Sequence, residues 1–464
     1  MDEITSKSAV GLAQLMRNRT LSPVDVMSAY LQHIEELNPK LNAIVTFAED
    51  LIDKAKEAEI KLARGGPVGA LHGLPITIKD TIDTAGLKTT SGSIMREHFV
   101  PEVDAPSVAR LKAAGAIIIG KTNAAEMAMD YTAENPVFGR TLNPYELSCS
   151  PGGSSGGEAV AITTCMSPAG LGSDLAGSIR IPCHFCGIVG LKPTTGRVPS
   201  AGQFPASIGP YSLGAAIGPM ARTVEDLLLL FNVLAGLPGS SLDHCRQEIS
   251  GWRCAWYTDD GVAPVTAETR TAVEAAARAL SKAGLIVEEI LPPCVNRGHE
   301  LWLKLFSRAS VVLLRELYTG NEDKAGEFVR WRLATADNGL LPTLDEYISN
   351  WMERDRLRAK LVEWMENWPL VIAPVGSGPA LEHDVVKVTV MGRTMSAFRA
   401  FSYSQTFNVF DLPSVCVPVT RSAAGLPIGV QIVGRPFAEE STLAAAAIVE
   451  RVVETTMRAN DAFD

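Results

Sequence analysis

Two glycine-rich and serine-rich segments carry hydroxyls in a setting suited to acyl transfer. One is Ser150-Pro151-Gly152-Gly153-Ser154-Ser155-Gly156-Gly157, and the other is Gly172-Ser173-Asp174-Leu175-Ala176-Gly177-Ser178-Ile179-Arg180-Ile181-Pro182. A nucleophilic serine needs backbone N–H donors aimed at a developing oxyanion, and it needs a base. The small residues before Ser178 let the N–H groups of Leu175, Ala176, Gly177 and Ser178 converge on one point. The first segment reads as backbone held close to a reacting centre, with glycines permitting unusual φ/ψ and serines supplying hydroxyls. A linker fits poorly, because the segment lies between Asn143-Pro144 and the apolar run Ala159-Val160-Ala161-Ile162. A phosphate-cradling loop would want a strand ending directly at its glycines.

The usual base is histidine. The seven histidines stand at 33, 72, 98, 184, 244, 299 and 383, none in an obvious triad context. His184 is near Ser178 in sequence, but a lone histidine is more often structural. Lys79 is the better candidate, since it ends the apolar run Gly73-Leu74-Pro75-Ile76-Thr77-Ile78. A long cation there is costly unless its pKa falls, and a desolvated neutral lysine is a base near pH 7. The competing reading is a lysine paired with Asp80 or Asp174, and the residues alone leave both open.

These groups need a rigid frame. Apolar residues at spacings of three and four predict helices through the first sixty residues, with Ser22-Pro23 as a helix start. Leu51 to Ala63 continues in that style. Residues 73–79 and Ala116 to Gly120 read as strands, with a helix from Ser107 to Ala114 between them. Helices are expected at about 223–236 and 266–284, and a helical excursion at about 297–367. Strands resume at Leu370 to Pro374, Ser414 to Val419 and Leu426 to Gly434, and Glu440 to Glu454 closes the chain as a helix. Strands alternating with helices indicate an α/β architecture. With no internal repeat and no long polar linker, one domain over 1–464 is expected.

Several functions are disfavoured. Gly115-Ala116-Ile117-Ile118-Ile119-Gly120-Lys121-Thr122 fits the P-loop expression, but three stiff apolar isoleucines belong inside a sheet and not around a phosphate. Cys183 and Cys186 form a lone C-x-x-C with no second pair to complete a zinc site. A net charge of −10 without a basic stripe argues against nucleic acid and against an anionic membrane surface. The apolar stretch Leu227 to Leu237 is too short to span a bilayer. The acidic start Met1-Asp2-Glu3-Ile4 has no apolar h-region behind it, and the eight cysteines are scattered. A cytoplasmic protein with free thiols is therefore expected.

The paired loops together resemble the signature of the amidase signature family, which includes fatty acid amide hydrolases, malonamidase and the A subunit of glutamyl-tRNA amidotransferases. Pro75-Ile76-Thr77-Ile78-Lys79-Asp80 resembles its lysine strand. Gly120-Lys121-Thr122-Asn123, Asn143-Pro144-Tyr145, Gly190-Leu191-Lys192-Pro193-Thr194, Gly218-Pro219-Met220-Ala221-Arg222 and Leu426-Pro427-Ile428-Gly429-Val430-Gln431 look like further landmarks. The resemblance covers nearly the whole chain. It implies an amidase signature fold, a large twisted mixed sheet covered by helices on both faces, with residues 1–65 as N-terminal helices. It places Lys79, Ser154 and Ser178 on the catalytic lysine, the bridging serine and the nucleophile, at spacings of 75 and 24 residues that are familiar for the family. It also implies a cis Gly153–Ser154 bond, an oxyanion hole from the amides of residues 175–178, and supporting roles for Gly153, Ser155, Asp174 and Arg180, with Ser155 helping to orient the lysine. No metal or cofactor is required. The family usually has Gly-Gly before the nucleophile, and Ala176-Gly177 departs from that; an alanine that needed φ > 0 would strain the loop.

The implied reaction is hydrolysis of an amide by acyl transfer. A rival is the glutaminase-type A subunit, whose expected basic stretch is poorly matched by Phe328-Val329-Arg330-Trp331-Arg332-Leu333. A non-catalytic binding member of the fold is disfavoured by the intact Lys79, Ser154 and Ser178. Met127, Met129, Asp130 and Tyr131 are candidate pocket walls, with Met127 and Met129 equally readable as core filler. Tyr211 and the region Trp302 to Trp368 are candidates to line or cap an acyl pocket. The expected partner is a small amide, and a homodimer is the base-rate oligomer.

Overall fold

The computed structural model describes residues 3–336 and 342–453. Its strands, in chain order, are β1 (Ile44–Phe47), β2 (Pro75–Lys79), β3 (Ile117–Thr122), β4 (Glu134–Asn135), β5 (Gly139–Arg140), β6 (Ala169–Asp174), β7 (Val189–Lys192), β8 (Ala216–Ala221), β9 (Arg253–Trp256), β10 (Ile286–Glu289), β11 (Leu370–Pro374), β12 (Lys387–Val390), β13 (Arg393–Ser396), β14 (Ser414–Arg421) and β15 (Pro427–Gly434). Eleven of them form one sheet in the order β1-β3-β2-β6-β8-β7-β14-β15-β11-β9-β10. Pairing is parallel within β3-β2-β6 and within β11-β9-β10, and antiparallel elsewhere, so the sheet is mixed as expected.

Period-two alternation explains why an apolar run such as Ile117-Ile118-Ile119 is a strand. Ile118 joins the core on one face of the sheet, and Ile117 and Ile119 join the core on the other. The first face is covered by helices Ala9–Arg17, Val224–Ala235, Ala267–Lys282 and Glu439–Val453, each burying an apolar stripe. The second is covered by Gly156–Thr163, Arg180–Cys186, Ser402–Val409 and the beginning of the helical excursion. Lys121 ends this run buried, donating to Thr84 Oγ1 at 2.9 Å and to the Ile82 carbonyl, so the P-loop match has no phosphate-binding geometry.

The expected helices and strands occur within a few residues of their predicted limits. The N-terminal region is helix Ala9–Arg17, helix Pro23–Leu41 with Ser22 accepting from Val24 N–H, and helix Leu51–Ala63, but strand β1 interrupts it. The excursion comprises Gly298–Trp302, a π turn at Leu303–Ser307, Arg308–Tyr318, Glu327–Ala336 and Leu344–Trp364. Positions 1–2, 337–341 and 454, which fall within expected segments, lie outside the described residues.

Candidate active site

β2 and β6 run parallel, with Thr77 opposite Gly170 and Ile78 opposite Leu171. Their C-terminal ends therefore emerge side by side, carrying Lys79 and Ser173-Asp174. What reads in sequence as one long loop from Gly172 is thus the end of a buried strand, a five-residue turn, and the start of helix Arg180–Cys186. Glycines serve in that strand because its neighbours lie very close: a Cβ on Gly170 would collide with the Glu158 carboxylate.

Lys79 is fully buried, with Nζ 2.7 Å from Ser154 Oγ and 3.0 Å from Ser173 Oγ. Burial pushes its pKa down from 10.5 to about 7, against the pull of Asp174 and Glu158. Glu158 is itself raised to about 7 by burial and accepts from the hydroxyls of Thr77 and Thr122. Lys79 forms no ion pair with Asp80, whose carboxylate is taken by the amide and hydroxyl of Thr90. Ser154 lies just before helix Gly156–Thr163, and the Gly153–Ser154 peptide bond is cis. A Cβ on Gly153 would collide with the Thr132 carbonyl oxygen, so only glycine fits there. The Ser155 amide donates to the Ser178 carbonyl at 3.2 Å, which ties the two serine segments together. Ser155 Oγ reaches the backbone of Ser173 at 3.4 Å and makes no hydrogen bond with the lysine. The second hydroxyl bonded to Lys79, beside that of Ser154, is that of Ser173, which nothing in the sequence singles out.

The turn 175–179 is organised by Asp174. Its Oδ1 accepts from the Gly177 amide at 2.8 Å and its Oδ2 from the Ile179 amide at 3.1 Å. Burial disfavours the charge, but the Arg180 guanidinium outweighs that and holds the carboxyl well below the usual range. Arg180 is fully buried, forked onto Asp174 at 2.9 and 3.0 Å, and bonded to Gln431 and Asn408 at 2.7 and 2.6 Å. Of the four amides expected to serve as oxyanion donors, that of Gly177 is committed to Asp174. Among the described residues, the amides of Leu175, Ala176 and Ser178 make no hydrogen bond, which leaves three donors on this turn. Gly177 sits at φ +108°, whereas Ala176 has no positive φ, so the departure from Gly-Gly falls where alanine is tolerated.

The four candidate pocket residues separate. Met127 is 1% exposed and packs with Leu314, Tyr318, Ala325 and Val329, with Met129 against that cluster. The left-handed backbone at Met127 and Ala128 turns Met127 into this cluster as core, while Met129 packs against it partly buried. Asp130 accepts from the Tyr131 amide at 2.7 Å and from Thr132 Oγ1 at 3.3 Å, which stabilises a turn. Of the four, Tyr131 alone reaches the turn before Ser178, its hydroxyl donating to the Ala176 carbonyl at 2.8 Å. Tyr211 and Trp302 flank Phe306 nearby, whereas Trp364 stacks on Trp368 and Arg253 lies over Trp368. His184 is buried, lowered to about 4, and bonded to Gly378 and Gly429, which makes it structural. Cys183 and Cys186 are buried beside it as free thiols. Asn408 carries little sequence signal, while Gln431 lies within the buried apolar strand β15, where a polar side chain needs a partner.

A family model described as Amidase matches residues 25–443. The chain is 32% identical to the glutamyl-tRNA(Gln) amidotransferase A subunit 2 of Clostridium acetobutylicum, over 97% of this chain and 99% of that one. It is 30% identical to fatty-acid amide hydrolase 2 of Homo sapiens, over 96% of this chain and 88% of that one. The crystal structure of a bacterial aryl acylamidase of the amidase signature family superposes with a TM-score of 0.86 at 26% identity, covering 97% of both chains. The protein therefore belongs to the amidase signature family, a family of amide hydrolases.

Proposed function

We propose that the protein hydrolyses a carboxylic amide by acyl transfer to Ser178, with Lys79 and Ser154 as the proton relay. The observation that carries this reading is the 2.7 Å approach of Lys79 Nζ to Ser154 Oγ, made by a lysine whose pKa lies near 7. Neutral Lys79 takes the Ser154 hydroxyl proton as Ser154 takes that of Ser178, and Ser178 Oγ attacks the amide carbonyl. The oxyanion receives hydrogen bonds from the amides of Leu175, Ala176 and Ser178. The relay returns the proton to the leaving nitrogen as the C–N bond breaks. Water then attacks the acyl-enzyme, its proton passes to Ser178, and a carboxylic acid departs. The substrate is a linear amide, a single domain does the chemistry, and eight unpaired cysteines fit a reducing cytoplasm.

A fluorophosphonate probe tests the reading. Labelling of Ser178, found by peptide mass spectrometry, should vanish in Ser178→Ala and collapse in Lys79→Ala. Folded protein that takes no label refutes it. The glutaminase reading is favoured by the amidotransferase relative and is separated by ammonia release: glutamine would be the preferred donor over acyl amides, and only in the presence of a partner protein.

A further inference from the structure

Every carbonyl of the turn before Ser178 is engaged, and a trans peptide plane carries its N–H opposite its C=O. Fixing a carbonyl therefore aims the amide of the next residue. The Asp174 carbonyl accepts from Asn408 Nδ2 at 3.3 Å, which orients the Leu175 amide. The Gly177 carbonyl accepts from the Ile181 amide at 2.7 Å, which orients the Ser178 amide. These two anchors are local or belong to the Asp174–Arg180 network. The other two come from elsewhere: the Leu175 carbonyl accepts from Trp302 Nε1 at 2.8 Å, and the Ala176 carbonyl from the Tyr131 hydroxyl at 2.8 Å.

Trp302 and Tyr131 are 171 residues apart in sequence, yet both rest on one ring. Phe398 stacks on Tyr131 with centroids 4.6 Å apart and an interplanar angle of 11°, and it meets Trp302 at 5.0 Å. Tyr131 is braced further by Gln405 Nε2 at 2.9 Å, and Gln405 Oε1 meets His299 Nδ1 at 2.7 Å. His299 and Trp302 share the first helix of the excursion, immediately before the π turn at Leu303–Ser307. Trp302 is 7% exposed, so its N–H has no ready exchange with solvent.

We propose that the Trp302–Phe398–Tyr131 stack positions the oxyanion hole, with Trp302 setting the direction of the Ala176 amide. The inference rests on the hydrolase reading above. Trp302 is a positioning residue that acts through the Leu175–Ala176 peptide plane, and it makes the helical excursion part of the catalytic geometry. Loss of an oxyanion donor costs on the order of 10²–10³ in kcat, so a donor left in place but misaimed should cost about 10–100-fold.

The test uses the full chain with 4-nitrophenyl butyrate as acyl donor and a phenyl trifluoromethyl ketone as tetrahedral adduct former. Trp302→Phe keeps a ring and removes the N–H. It should lower kcat per fluorophosphonate-titrated site by about 10–100-fold, with KM within about threefold. The ketone should bind weaker by the same factor, with the acid limb of the pH profile unmoved. Phe398→Ala, which leaves both donors present but unbraced, should show the same pattern, and Phe398→Tyr should restore it. Unchanged kcat per titrated site in Trp302→Phe, or equal losses in ketone affinity and in affinity for the butyramide ground-state ligand, overturns the inference. Absence of labelling and turnover in the unaltered chain overturns the hydrolase reading and the inference with it.

Discussion

The acid limb of kcat/KM is expected near pH 7 and should belong to Lys79. Burial displaces its pKa from 10.5 to about 7, a displacement on the order of 5 kcal/mol. At pH 7 roughly half of Lys79 is neutral, against roughly one part in three thousand for an ordinary exposed lysine. Activity should therefore fall about fivefold from pH 7 to 6 and about tenfold more by pH 5. The second-order rate of fluorophosphonate inactivation follows the same protonation and needs no knowledge of the substrate. Asp80 and Glu158 are raised by burial to about 6 and about 7, so a limb in this range has competing owners. Temperature separates them. An ammonium loses its proton with a large enthalpy and its limb moves to lower pH on warming, while a carboxyl limb hardly moves. The same displacement has a stability consequence. The unfolded chain holds a proton on Lys79 that the folded chain sheds between about pH 7 and 10.5, so stability from this group is complete above 10.5 and lost as pH falls to about 7. Lys79→Met should thus be inactive yet melt higher than the parent at pH 7, with the gap closing toward pH 10.5. A limb near pH 10, a limb that ignores temperature, or a less stable Lys79→Met protein would each refute a buried neutral lysine as base.

Gly177→Ala should be severe, because φ +108° costs an alanine about 1–2 kcal/mol and its Cβ would stand 2.6 Å from Ser404 Cβ. A loss of about 100-fold in kcat with a lowered melting temperature is expected from the displaced turn. Ala176→Gly, one residue away, should keep activity within about threefold and cost only about 0.4–1 kcal/mol of stability in denaturant titration. Arg180→Met strands the Asp174 carboxylate inside the protein, and should destabilise it by about 3–5 kcal/mol, read in the same titration.

The local code was legible wherever a residue type has one physical reason to be where it is. Ile117-Ile118-Ile119 fits a strand buried on both faces, and a serine followed by proline starts the helix Pro23–Leu41. Lys79 stood out because a cation ending an apolar run is costly without a use, and Ser178 because small residues precede it, while the role of Ser154 came from the family resemblance of the paired loops. The glycines of β6 concealed a strand, because they report how near Glu158 and Met220 lie and not what the backbone prefers locally. Met127 shows the converse: it stands beside Tyr131 in the chain, but a left-handed backbone turns it into a separate cluster.

Residue type and short-range periodicity were enough to indicate the α/β frame and to mark Lys79 and the two serine-rich segments as candidates, while the roles proposed for Lys79, Ser154 and Ser178 came from the resemblance to the amidase signature family. The geometry around those groups came from the folded chain alone. Folding set Ser173 and not Ser155 beside the lysine, committed the Gly177 amide to Asp174, and brought Trp302, Asn408 and Gln431 to the turn from more than a hundred residues away. Those outcomes depend on strand register and on side chains meeting across the fold, where a hydrogen bond forms between whichever donor and acceptor are buried together, whatever their separation along the chain.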